Sequence, residues 1–253
     1  MAEVTSYRTG QPCWADVTSP DLDAAAAFYS ELFGWEAAKD PRPEAGGYTM
    51  FTRNGKSVAA ASPPQGGGAP NWIVYLAADD VATVAARIRD AGGNVLMEPF
   101  DVFDAGRMTV AADPASARFG VWQAGTHIGS QLSGEPGTIN WAEVQTRDHT
   151  AAQSFYERVF GYETERMDMG AAGGYLLLKV EGRPVAGLIQ IEPEWGDVPS
   201  NWSVVFEVED CDVAVAGVEQ HGGSVIREPH SLEGVGRFAV VADPWGAVFQ
   251  VIT

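Results

Sequence analysis

Cysteine is nearly absent from this chain: Cys13 and Cys211 are the only two among 253 residues. They form no CxxC and no repeated spacing, so two reduced thiols are expected rather than a disulfide framework or a thiolate metal site. Long apolar runs are missing too. Nothing approaches the roughly 18 consecutive apolar residues of a membrane span. The start, MAEVTSYRTGQPCWADV, has neither a basic n-region nor an apolar h-region, so a cytoplasmic protein without a signal peptide is expected. Positive charge is scarce: 16 Lys and Arg face 34 Asp and Glu, a formal net charge of −18. Such a surface repels phosphate backbones and anionic lipid, which argues against nucleic acid and membranes as partners and serves solubility. There are four histidines and no HxH or HxxxH pair. His149 is expected at a helix start, His221 at a helix end, and His127 and His230 in loops. No GxSxG is present, no GxGxxG follows a strand, and Ser116 and Ser203 lack a neighbouring histidine. Hydrolase and dinucleotide-binding readings fall away.

What the chain does have is apolar content, 45% against 20% charged, enough to bury a core. It also has an internal repeat. Pro12-Cys13-Trp14-Ala15-Asp16-Val17 matches Ile139-Asn140-Trp141-Ala142-Glu143-Val144 at an offset of 127. Phe28-Tyr29, Phe33-Gly34-Trp35 and Gly46-Gly47-Tyr48 recur at that offset as Phe155-Tyr156, Phe160-Gly161-Tyr162 and Gly173-Gly174-Tyr175. Beyond Gly182 the offset grows to 130: Asn71-Trp72 meets Asn201-Trp202, Gly106-Arg107 meets Gly236-Arg237, and Asp113-Pro114 meets Asp243-Pro244. The chain is therefore a tandem duplication, with domains expected at residues 6–128 and 138–253. The Gly- and Ser-rich segment 129–137 reads as a linker.

Within a copy the first strand, Cys13–Thr18, runs into Ser19-Pro20-Asp21, a helix-start signal. Ala25, Phe28, Tyr29, Leu32 and Phe33 then recur at the spacing of one helical face, and Ala152, Phe155, Tyr156, Val159 and Phe160 repeat it. Gly34 and Gly161 sit where left-handed C-caps belong. Extended stretches follow, with turns at Asn54-Gly55 and Glu181-Gly182. A strand from Trp72 or Trp202, a helix from Asp80 or Asp210 and two or three closing strands complete each copy. The order is βαβββ twice per domain, an α+β architecture.

That order resembles the vicinal oxygen chelate (glyoxalase/bleomycin resistance/dioxygenase) superfamily. The resemblance rests on Phe-Tyr within the first helix, Phe-Gly-Trp/Tyr after it, and Asp-Pro before the last strand. It is narrower for tandem two-domain actinobacterial members, which share the Gly182–Gly187 turn. It implies a curved eight-stranded sheet per domain, wrapped around a ligand cavity. It also implies four metal-ligand positions on strands, usually His, Gln or Glu. In this sequence they fall at Trp14, around Val58-Ala59-Ala60, at Ile73 and at Gly120, and in copy two at Trp141, around Val185-Ala186-Gly187, at Ser203 and at Gln250. Indole, alkyl side chains and glycine offer a divalent cation no lone pair, and one amide is not a site. No metal and no cofactor are expected.

Side chains alternate along a strand, so Trp14 shares a face with Asp16, and Trp141 with Glu143. Asp16 and Glu143 are the candidate catalytic acids or bases, or anchors for a ligand hydroxyl. Candidate ligand contacts are Trp14, Trp72, Trp122, Trp141, Tyr175, Trp202, Ser203 and Gln250, with Arg107 and Arg237 for an anionic or quinone oxygen or, more simply, for a salt bridge to one of the 34 acids. The expected partner is a small hydrophobic or aromatic molecule, bound without metal by a monomer of two pseudo-symmetric domains or a weak dimer. Copy two, with Gln250 where copy one has Gly120, is expected to hold the better site. The alternatives are a tailoring enzyme using acid–base chemistry, a metal-dependent glyoxalase or dioxygenase, and a protein whose cavities are filled by its own side chains.

Overall fold

The computed structural model describes residues 2–64, 68–167 and 174–253; Gly173, a landmark of the repeat, lies outside them. In domain 1 the order is β1 (Pro12–Thr18), α1 (Leu22–Phe33), β2 (Glu36–Lys39), β3 (Thr49–Arg53), β4 (Lys56–Ser62), β5 (Trp72–Ala77), α2 (Val81–Asp90), β6 (Asn94–Val102), β7 (Gly106–Ala112) and β8 (Arg118–Ala124). Domain 2 repeats it as β9 (Ile139–Thr146), α3 (His149–Phe160), β10 (Glu163–Met167), β11 (Tyr175–Val180), β12 (Arg183–Gln190), β13 (Asn201–Glu207), α4 (Cys211–Gln220), β14 (Ser224–Leu232), β15 (Gly236–Ala242) and β16 (Val248–Ile252). Each domain is one eight-stranded sheet, ordered β2-β3-β4-β1-β5-β8-β7-β6 and β10-β11-β12-β9-β13-β16-β15-β14. These are two tandem α+β domains, each of two βαβββ units. His230 lies within β14, a strand rather than the expected loop.

Local chemistry sets the helix ends. Asp21 caps α1 by accepting from the Ala24 N–H at 3.0 Å, and Asp148 caps α3 through Ala151. Gly34 and Gly161 end these helices in the left-handed conformation, at φ 68° and 72°. Asn54-Gly55 and Glu181-Gly182 both have positive φ, the tight hairpin turn that returns each chain into β4 or β12.

One face of each sheet is covered by helices, and the two covered faces meet in one continuous core. The repeated motifs hold this junction together. The Tyr29 hydroxyl, from α1, donates to Asp243 of domain 2 at 2.9 Å and accepts from the Trp72 indole at 3.1 Å. Its counterpart Tyr156, from α3, donates to Asp113 of domain 1 at 3.2 Å and accepts from Trp202 at 2.8 Å. The aromatic after Phe-Gly acts likewise: Trp35 bonds the Gly137 carbonyl before β9, and Tyr162 bonds the Gly10 carbonyl before β1. The Phe-Tyr, Phe-Gly-aromatic and Asp-Pro signatures are thus interface chemistry. Burial raises the carboxyls of Asp113 and Asp243 above their ordinary range, while backbone N–H and tyrosine hydrogen bonds pull them back.

Candidate functional site on the open sheet faces

The opposite face of each sheet carries no helix. In domain 1 the pairings Trp14↔Tyr75, Asp16↔Ile73, Asp16↔Ala60 and Tyr75↔Gly120 bring the central strands β4, β1, β5 and β8 together there. Trp14 donates to the Tyr48 hydroxyl at 3.0 Å. Asp16 accepts from Tyr75 at 3.1 Å and from Tyr48 at 3.4 Å. Burial pushes the Asp16 carboxyl up to about 7, against the pull of the two phenols. Around this network pack Cys13, Ala60, Ala77 and Trp122, with Met50, Met108 and Val102 at the margin. His127 stands edge-on to Trp14 at 4.6 Å, and its carbonyl accepts from Trp122. Burial lowers its imidazole to about 4. Trp14 and Asp16 are consequently sealed, at 4% and 5% exposure. Domain 1 fills its own cup.

Domain 2 uses the same frame differently. Trp141 donates to Tyr175 at 2.8 Å, and Tyr175 donates to Glu143 at 3.1 Å. Gln250 donates to both Glu143 and Ser203 at 3.0 Å, and Gln145 also reaches Glu143 at 3.0 Å. Trp141 and Glu143 stay partly exposed. Three replacements distinguish this face: Ile252 stands where domain 1 has Trp122, Ser203 replaces Ile73, and Gly187 replaces Ala60. Gly187 is needed here, because a Cβ on it would lie 1.9 Å from the Tyr175 hydroxyl and 3.1 Å from the Trp141 nitrogen. A cleft of about 350 Å³ opens beside Trp141 at the domain junction, lined also by Tyr7, Cys13, Ser130 and Val185.

The two cups differ by a paired exchange. Tyr75 and Gly120 are neighbours on parallel strands, and so are Val205 and Gln250. A Cβ at position 120 would meet the Tyr75 ring at 2.1 Å, so domain 1 has glycine where its tyrosine lies across the strand. Tyr75 then supplies to Asp16 the hydrogen bond that Gln250 supplies to Glu143.

Of the residues singled out in the sequence, Trp14, Asp16 and Trp122 meet on one open face, and Trp141, Glu143, Tyr175, Ser203 and Gln250 on the other. Four do not join them. Trp72 and Trp202 point into the junction core, because they alternate with Ile73 and Ser203 on the same strands. Arg107 alternates with Met108 and turns to the helix side, where its guanidinium lies 3.5 Å from Asp101. Arg237 forks onto Asp212 in the first turn of α4, at 2.6 and 2.7 Å. Both arginines are engaged in surface ion pairs. Four participants lie outside the residues singled out in the sequence. Tyr48 is legible as the repeat partner of Tyr175, and Gln145 as the next residue on the face of Trp141 and Glu143; Tyr75 and His127 carry no signal outside the strand register and the packing.

The donor set does not fit a divalent cation. Among the described residues no group of three or more His, Cys, Asp or Glu side chains is gathered closely enough to hold one. Each cup offers a single carboxylate, already engaged by phenols or amides.

Comparison with known proteins agrees with this frame. The family model described as Glyoxalase/Bleomycin resistance protein/Dioxygenase superfamily matches residues 13–121 and 138–251. CFP32 of Mycobacterium tuberculosis, named as a candidate glyoxylase, is 43% identical over 100% of this chain and 98% of its own length. The anthracycline biosynthesis protein DnrV of Streptomyces peucetius is 39% identical over 98% of this chain and 95% of its own. Among solved structures, the Mn(II)-bound glyoxalase of Novosphingobium aromaticivorans shares the fold at a TM-score of 0.66 and 18% identity, over 96% of this chain and 82% of that one. The 2,2',3-trihydroxybiphenyl 1,2-dioxygenase of Sphingomonas wittichii does so at 0.65 and 17%, over 97% and 90%. Two family matches in one chain, each on a domain of two βαβββ units, make this protein a tandem two-domain member of the glyoxalase/bleomycin resistance/dioxygenase superfamily.

Proposed function

We propose that the protein binds a hydrophobic aromatic small molecule on the open face of domain 2, without a metal ion. The observation that carries this reading is the contrast between equivalent residues: Trp14 and Asp16 are sealed, while Trp141 and Glu143 are accessible at the head of a polar row. An indole wall with a few convergent polar groups is what specific capture of a flat ligand needs. The naming of DnrV for anthracycline biosynthesis points to aromatic polyketides as the class to try first. The test is a tryptophan-quenching screen against aromatic polyketides and quinones, with product analysis of the hits. Saturable quenching with unchanged ligand supports capture; no quenching by any of them overturns it.

A second reading, acid–base tailoring of such a molecule, draws on Glu143, the accessible carboxylate of domain 2. The candidate-glyoxylase name of CFP32 lies on the side of catalysis. New product in the screen, lost in Glu143→Gln, selects it. The proposed metal independence has its own check. Elemental analysis of purified protein is expected to find far less than one zinc, nickel, iron or manganese per domain. About one per domain would contradict the argument from the donor set.

A further inference from the structure

The hydrogen bonds of domain 2 leave two polar valences free, and these define a ligand group. A carboxylate can only accept, so the atom that Gln250 directs at Glu143 is its NH2, which fixes the amide orientation. The same nitrogen reaches Ser203 Oγ at 3.0 Å, so the serine oxygen accepts and its hydrogen points elsewhere. Among the described residues nothing bonds to Gln250 Oε1, and nothing accepts from the Ser203 hydroxyl. One free acceptor and one free donor thus stand side by side, on residues that are each 5% exposed. Domain 1 has no such pair, since isoleucine and glycine hold the equivalent positions, Ile73 and Gly120.

We infer that Ser203 and Gln250 recognise a neutral ring hydroxyl: the ligand O–H donates to Gln250 Oε1 while its oxygen accepts from Ser203. This rests on the binding reading above and narrows its ligand to phenols. A methyl ether loses the donor, and a phenolate loses it too while gaining repulsion from nearby Glu143. A buried polar pair left unmatched disfavours such analogues more than apolar contact alone can.

The experiment is calorimetric titration of the full-length protein with 2-naphthol and with its methyl ether, 2-methoxynaphthalene. Wild type, Ser203→Ala and Gln250→Leu are compared after circular dichroism has verified their folding. The wild type is expected to prefer 2-naphthol by about tenfold, the scale of one or two matched hydrogen bonds. Gln250→Leu, which removes the acceptor that only the phenol O–H can use, should erase most of that preference, whereas Ser203→Ala should weaken both probes, since either oxygen can accept from the serine. The preference should also decline as rising pH ionises the phenol. Equal binding of the two probes overturns the hydroxyl recognition while leaving ring capture intact. A preference undiminished in Gln250→Leu overturns it as well. No binding of either probe overturns the capture reading and this inference with it.

Discussion

Asp16→Asn is expected to make the protein more stable above neutral pH and no more stable near pH 4. Asp16 is buried and its carboxyl is raised from 3.8 to about 7, with burial the main cause. A carboxyl raised on folding binds more protons in the native than in the unfolded state across that interval. Stability therefore falls as pH rises from about 4 to about 7, and is unaffected by this group below that window. A shift of about three pH units corresponds to roughly 4 kcal/mol. The asparagine carbonyl still accepts from Tyr48 or Tyr75, so the substitution removes the ionisation and keeps an acceptor. Urea unfolding of both proteins across this range gives the test. The difference should grow with pH and level off above about 7; parallel curves would show that Asp16 is ionised at little cost.

The other large effect is expected at the domain junction. Tyr29 is fully buried, with the rings of Phe28, Trp72 and Phe249 4.9 to 5.9 Å away. Tyr29→Ala removes a large core side chain, about 3–5 kcal/mol by itself. It also leaves an oxygen of buried Asp243 without its partner, which adds about 1–3 kcal/mol. Tyr29→Phe should show only the second part. Because the tyrosine and its aspartate belong to different domains, both domains should lose stability together, in one calorimetric transition. Separate transitions, with domain 2 unmoved, would show that the junction transmits little.

These effects separate what the chain discloses from what it conceals. Duplication made the architecture readable: Asp21, Gly34 and the Phe28-Tyr29 pair each recur at a fixed offset, and helix caps obey local chemistry. The faces were harder. Trp72 and Trp202 looked like ligand walls because tryptophan suits both a core and a cavity; only register against β1 and β9 puts them on the helix side. Arg107 and Arg237 suit either a ligand oxygen or a salt bridge, and only the fold shows that Asp101 and Asp212 engage them. In the sequence the glycine at 120 is a ligand position that offers no donor. It is the space required by Tyr75, a residue 45 positions away that becomes its neighbour only through parallel strand pairing. Compensation of this kind leaves no trace in one sequence.

The central claim, that domain 2 holds the ligand and needs no metal, is tested most directly by one dissociation constant measured on chelator-treated protein. An aromatic ligand from the quenching screen is titrated into wild type, Trp141→Ala and Trp14→Ala. Binding should survive chelation and weaken by about 1–3 kcal/mol in Trp141→Ala, the scale of a lost aromatic contact, with a smaller change in Trp14→Ala. Loss of binding on chelation, or equal weakening in the two variants, would contradict the account.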